Sequence, residues 1–283
     1  MSDVPGGPTP PPPPPPPMME GPQGAIPPKG LGEILSQAFN VYRANAAKLV
    51  VIVAIVVVPL TFVSTLITQV ALDPGTERIT VLGEIVEVPA SRGFFGALVV
   101  GAFALAISVI IWALLEAAIV RAAAQATLGD PIDVEASYRW GFRRIGSVIL
   151  VSILAGLAVL GGLILLVVPG LIFAVMLCVS VPALIVEDRR GSDALGRSWS
   201  LVKGSFWHVV GVIVVAGLIA SAISGIIGSI GGNAWFLRWV FTSIGTIVTA
   251  PFTALVAVLL YVDLRARGEA LTATTLRSEV SRP

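Results

Sequence analysis

With 283 residues, 55% of them hydrophobic and only 12% charged, and a mean hydropathy of +0.92, this chain has too little polar surface to dissolve as a globular domain. Its formal net charge of +1 gives no electrostatic footprint for nucleic acid. Cys178 is the single cysteine and lies in an apolar tract, which excludes an intrachain disulfide and a multi-thiolate metal site.

Residues 1–30 hold Pro5, Pro8, Pro22, Pro27, Pro28 and an unbroken run from Pro10 to Pro17. Such a stretch cannot bury a core and favours polyproline II, so it is expected to be a disordered tail. It serves either as a spacer or as a ligand for an aromatic-lined groove on a cytoplasmic partner. It lacks the basic start, apolar centre and cleavage site of a secretory signal, so the first apolar run is expected to stay as a span.

Leu31, Ile34, Leu35, Ala38 and Tyr42 then share one helical face, the spacing of an amphipathic helix lying in the membrane interface. Residues 49–72 carry no charge and are long enough to cross about 30 Å of hydrocarbon, which places a first span at 49–71. In the loop that follows, ERITVLGEIVEV alternates apolar and polar residues about Leu82 and Gly83, as a small hairpin does. A second uncharged tract, 93–115, gives a span at 94–118.

Residues 145–186 are uncharged throughout, and Pro169 with Gly170 is expected to end one helix and allow a tight reversal. Two spans result, at 146–168 and 171–186. A fifth, at 206–228, ends where Gly231, Gly232, Asn233 and Arg238 interrupt the apolar sequence, and a sixth occupies 239–262. The expected fold is therefore all-α: a polytopic membrane helix bundle of about six transmembrane helices with interfacial amphipathic helices, covering 31–268. Residues 269–283 are expected to be a flexible cytoplasmic tail.

With both termini placed in the cytoplasm, all of the 18 lysines and arginines except Arg78, Arg92 and Arg238 fall on that side. That asymmetry predicts a multi-pass protein of the cell membrane in this orientation. Three segments that lead into spans align without gaps: AFNVYRANAAKLV, SYRWGFRRIGSVI and SWSLVKGSFWHVV. Each couples a small residue to an aromatic one (Ala38 with Phe39, Ser137 with Tyr138, Ser198 with Trp199), and a base follows four or five positions after the ring (Arg43, Arg143, Lys203). Membrane lipids are the expected partners, with Arg43, Arg143, Arg144, Arg189, Arg190, Lys203, Arg265 and Arg267 as candidates for contact with headgroup phosphates.

Within the spans, Glu116 is the only carboxylate, and an ionisable group in hydrocarbon is a candidate for function. It also lies five residues, about 7.5 Å of helix, before Arg121, close enough to act as an anchor paired with that base. Thr242, Thr246, Thr249 and Thr253 recur at helical spacing along the last span, as Thr61, Ser64, Thr65 and Thr68 do along the first. Such hydroxyls either line a polar pathway or bond to neighbouring helices. Small residues at every fourth position, Gly217, Ser221 and Gly225 or Gly93, Ala97 and Gly101, allow close packing within the bundle or in a homo-oligomer. Asp263 and Arg267 stand at a favourable i, i+4 spacing just past the last span.

Two stretches, ALGRSWSLVKGSFWHVVG from Ala194 to Gly211 and YVDLRARGEA from Tyr261 to Ala270, resemble the actinobacterial family named for a glycerophosphoryl diester phosphodiesterase membrane domain. The start LGEILSQAFNVYRANAAKL is similar to that family as well, so the resemblance covers roughly residues 31–270. It implies membrane architecture without a catalytic assignment, since the phosphodiesterase chemistry of fused relatives belongs to a separate soluble barrel. The residues agree: His208 is the only histidine, and no set of clustered carboxylates with an acid and a base is evident. The expectation is a non-enzymatic, cofactor-free module that organises lipid or a partner protein. The alternative is a transporter or export-associated subunit using Glu116 and the hydroxyl faces.

Overall fold

The structure, a computed structural model, describes residues 25–72, 76–81, 84–89, 94–189, 191–232, 234–269 and 271–280, and side chains outside 64–107. The proline run, Arg190, the side chains of Ser64, Thr65 and Thr68, and those of Gly93, Ala97 and Gly101 lie outside what is described. Peptide groups in hydrocarbon must close their own hydrogen bonds, and the uncharged tracts accordingly form helices. In chain order the elements are α1 Leu31–Leu72, β1 Thr76–Val81, β2 Glu84–Pro89, α2 Phe94–Thr127, α3 Val134–Leu165, α4 Val167–Met176, α5 Ser180–Glu187, α6 Ser192–Lys203, α7 Phe206–Ile230, α8 Trp235–Gly268 and α9 Ala273–Val280. Six helical stretches are long and apolar enough to cross a membrane, so this is a multi-pass membrane protein built as an all-α bundle. Strands β1 and β2 pair antiparallel with Val81 opposite Glu84, whereas the turn expected at Leu82 and Gly83 lies outside the described residues.

Helix α8 is the hub, packing against α1, α2 and α7. Its last turns bury Leu255, Val258, Leu259, Leu260, Tyr261 and Leu264. Helix α2 meets α3 through small side chains: Ala117, Ala118 and Ala122 are fully buried, and a Cβ added to Gly141 would lie 3.2 Å from that of Ala117. The outward faces of α3, α4 and α7 expose Leu157, Ile164, Leu171 and Leu218. In water such a surface would aggregate, whereas here it meets lipid. The amide of Ile26 donates to the carbonyl of Leu271 (2.8 Å), so both ends of the described chain share one side, called here the terminal face.

Several elements depart from the sequence reading. The amphipathic lead-ins of the first and second hairpins are not separate helices but the first turns of α1 and α3; α6 alone stands apart, ended at Gly204. The reversal in the long uncharged tract comes at Leu166, a single extended residue (φ −165°, ψ 150°), rather than at Pro169 and Gly170. Pro169 sits in the first turn of α4, where a helix needs no donor from it. The fourth crossing is itself broken at 177–179, between α4, much of which faces outward, and α5, which buries every residue from Val181 to Val186. Residues 269–283, expected to be a flexible tail, instead carry α9, because Leu271, Leu276 and Val280 find an apolar seat on the bundle. Gly217, Ser221 and Gly225 are exposed on α7, with nothing within 4 Å of a Cβ added at either glycine, so this stripe does not pack against the described residues.

Candidate functional site

Tyr261, Asp263, Arg265 and Arg267 close the last crossing, and a helix turns them by 100° per residue. Tyr261 and Arg265 therefore share one face of α8, and Asp263 and Arg267 the other. Each face gathers its own ionic group.

On the first face, the Glu187 carboxylate at the end of α5 accepts hydrogen bonds from the Tyr261 hydroxyl (2.6 Å), Arg197 Nε (2.8 Å) and Arg189 Nε (2.6 Å). Arg265, its side chain 7% exposed, lies 3.6 Å from the same carboxylate and grips Glu279 of α9 through both terminal nitrogens (2.5 and 3.3 Å). Its Nε donates to Glu269 (3.2 Å), and Arg197 completes the ring to Glu269 at 2.5 Å. Burial alone would lower the pKa of Arg197, but the carboxylates of Glu187 and Glu269 outweigh that and hold it above the ordinary arginine value. Guanidiniums and carboxylates thus balance in a network that ties α5, α6, α8 and α9 together. The loop between α5 and α6 turns through Asp188 and Gly191, both at positive φ (57° and 56°), and Asp188 forms an ion pair with Arg144.

On the second face Asp263, whose side chain is wholly buried, accepts from Arg267 Nε (2.8 Å) and from the backbone amide of Lys29 (2.5 Å), and lies 3.1 Å from His208 Nε2. Arg267 also donates to the Lys29 carbonyl (2.5 Å), so this group staples the segment before α1 to the end of α8. The stretches 194–211 and 261–270 supply Arg197, His208, Tyr261, Asp263, Arg265, Arg267 and Glu269 to these two groups.

The candidate headgroup contacts divide accordingly. Arg43, Arg143 and Lys203 are exposed. Arg144 pairs with Asp188 and stands 5.5 Å from the Trp140 ring, Arg189 with Glu187, and Arg267 with Asp263. Arg265, expected at the headgroups, is buried among carboxylates instead.

The threefold pattern has a packing cause: Ala38, Ser137 and Ser198 are all fully buried. Tyr138 donates to the carbonyl of Ile52, and Phe39 and Trp199 stay partly exposed. Ser198 meets a further need, because the break in the fourth crossing diverts the Ser180 amide to Leu177, and the Met176 carbonyl accepts from the Ser198 hydroxyl (2.8 Å). Ser198→Ala leaves that buried acceptor unsatisfied and is expected to cost about 1–3 kcal/mol. The midpoint of thermal unfolding in detergent measures this, with exposed Ser200→Ala as the neutral comparison.

Glu116 makes no ion pair with Arg121, whose guanidinium stacks over Trp140 at 4.8 Å. Its one hydrogen-bond partner among the described residues is the Ser152 hydroxyl at 3.4 Å. It lines a cavity of about 410 Å³ beside the break in the fourth crossing, together with Trp112, Cys178, Pro182 and Thr253. The threonines of α8 do not line one pathway. Thr249 is bonded to Ser224 of α7 (3.1 Å), whereas Thr246 and Thr253 donate to carbonyls of their own helix and Thr242 is exposed. On α1, Thr61 joins Ser243 (2.8 Å) and Trp239 (3.0 Å).

Sequence reasoning missed Glu187, Arg197, Glu269 and Glu279 as a unit, and the partner of His208. The i, i+4 spacing of Tyr261 and Arg265 beside that of Asp263 and Arg267 was the available signal. Among the described residues no group of three His, Cys, Asp or Glu side chains could hold a metal ion. Compared with known protein families, curated proteins and solved structures, the chain shows no match.

Proposed function

We propose that this is a non-enzymatic protein of the cell membrane, with its terminal face in the cytoplasm, that gathers anionic lipid around that face. One observation carries the reading: each of the three lead-in segments buries its small residue and leaves its base exposed, at Arg43, Arg143 and Lys203. Bases held at the rim of a bundle, beside rings at headgroup depth, suit phosphate contact. The excess of lysine and arginine on this side supports the orientation. The resemblance of 194–211 and 261–270 to a membrane-domain family supports a module without chemistry of its own, and the ion pairs those stretches form supply a frame for the three bases.

Replacing the three bases together (Arg43→Glu, Arg143→Glu, Lys203→Glu) is expected to reduce co-purified anionic lipid several-fold relative to zwitterionic lipid, measured by mass spectrometry of the detergent-extracted protein. At about 1 kcal/mol per base near an anionic surface, the loss is well within reach of the measurement. An unchanged lipid profile overturns the reading. A second reading, a transporter or export-associated subunit, is favoured by the break in the fourth crossing beside Glu116.

A further inference from the structure

We propose that the cavity at Glu116 binds a lipophilic organic cation, which the carboxyl group takes up in exchange for a proton. This site lies between α2, the break in the fourth crossing and α8, and is independent of the basic rim on the terminal face.

At about 410 Å³ the cavity falls within the ordinary size range of small-molecule pockets. Its walls are mostly apolar, from Leu115, Ile119 and Val120 of α2 to Ala254 of α8. Glu116 brings the one ionisable carboxyl group to that lining, and among the described residues no lysine, arginine or histidine pairs with it. The nearest base along the helix, Arg121, is engaged with Trp140. A carboxylate without a counter-charge is costly in hydrocarbon, so the site is electrically complete only with a proton or a cation on it.

The lining also selects the kind of cation. One carboxyl and one hydroxyl fall short of the six or more oxygens a hard metal ion requires. A large, weakly hydrated cation gains instead from apolar contact and from the aromatic ring of Trp112, which lines the cavity and is 46% exposed at the bundle surface. That exposure makes the way in lateral, from the bilayer. On binding, the carboxyl O–H bond breaks, the proton leaves to water and the carboxylate faces the cation; no electrons are transferred.

The test uses the full chain in detergent with tetraphenylphosphonium as probe. Wild type should bind it saturably, with apparent affinity rising about ten-fold per pH unit while the proton competes, and should release one proton per cation into weakly buffered solution. Glu116→Gln should abolish the pH dependence and weaken binding at least ten-fold, roughly the value of one lost charge pair. Trp112→Ala should weaken binding but leave proton release intact. Absence of saturable binding to wild type overturns the proposal. So does binding that is independent of pH, that releases no proton, or that persists unchanged in Glu116→Gln. Because proton release is read on the wild-type protein, the proposal stays testable even where Glu116→Gln fails to fold.

Discussion

Arg265→Met is expected to destabilise the bundle by about 3–5 kcal/mol, the cost of removing one partner from a buried ionic group. Arg265 touches Glu279, Glu269, Tyr261 and Glu187, and with the guanidinium gone the Glu279 carboxylate loses both of its bonds from that side chain. Helix α9 should then lift from the bundle. Two readings check this: a lower midpoint of denaturation in sodium dodecyl sulfate, and faster proteolytic cleavage within 271–280. Glu279→Leu alone should cost less, and the double variant Arg265→Met with Glu279→Leu should cost less than the sum of the two, since the pair is coupled. Strict additivity would show that the contact holds nothing together.

The second large effect is expected at the crossing of α3 and α4. A Cβ on Gly162 would sit 2.8 Å from the Cα and amide nitrogen of Gly170, and one on Gly170 would sit 2.7 Å from the amide nitrogen of Leu163. Those neighbours are backbone and cannot rotate aside. Gly162→Val and Gly170→Val should each cost about 1–3 kcal/mol by forcing the helices apart, again read as a lower denaturation midpoint. Gly156→Ala and Gly161→Ala, in the same helix but with nothing within 4 Å of the added carbon, should be neutral or slightly stabilising because alanine favours helix by roughly 1 kcal/mol. Equal losses at all four positions would mean that the close backbone contact of Gly162 with Gly170 is not what governs this hairpin.

The crossings were legible because a tract such as 49–72 has no charge to place in hydrocarbon, and a one-dimensional signal of that kind survives without knowing any neighbour. The strand pair 76–81 and 84–89 was legible for the same reason, through its period of two. The turn after α3 was misplaced because Pro169 is a common helix breaker, yet a proline in a first turn breaks nothing, and Leu166 gives no local sign that it will be extended. The ionic network was illegible for a different reason. Glu187 looks like the charge that ends an uncharged tract, and its bond to Tyr261 spans 74 residues. No spacing rule says which helix ends will meet. Glu116 sits between these cases: its oddity could be read from the sequence, whereas the engagement of Arg121 with Trp140, which leaves it without a base among the described residues, needed three dimensions.

The bridge between Ala25 and Thr272 makes the polypeptide close to a ring. A linker long enough to run from the end of α9 back to Ala25, with the backbone opened instead at Gly232, would keep every crossing and the ion pair of Arg265 with Glu279 in place. Such a circular permutant would start and finish opposite the terminal face, moving its handle across the bilayer without reversing a single helix.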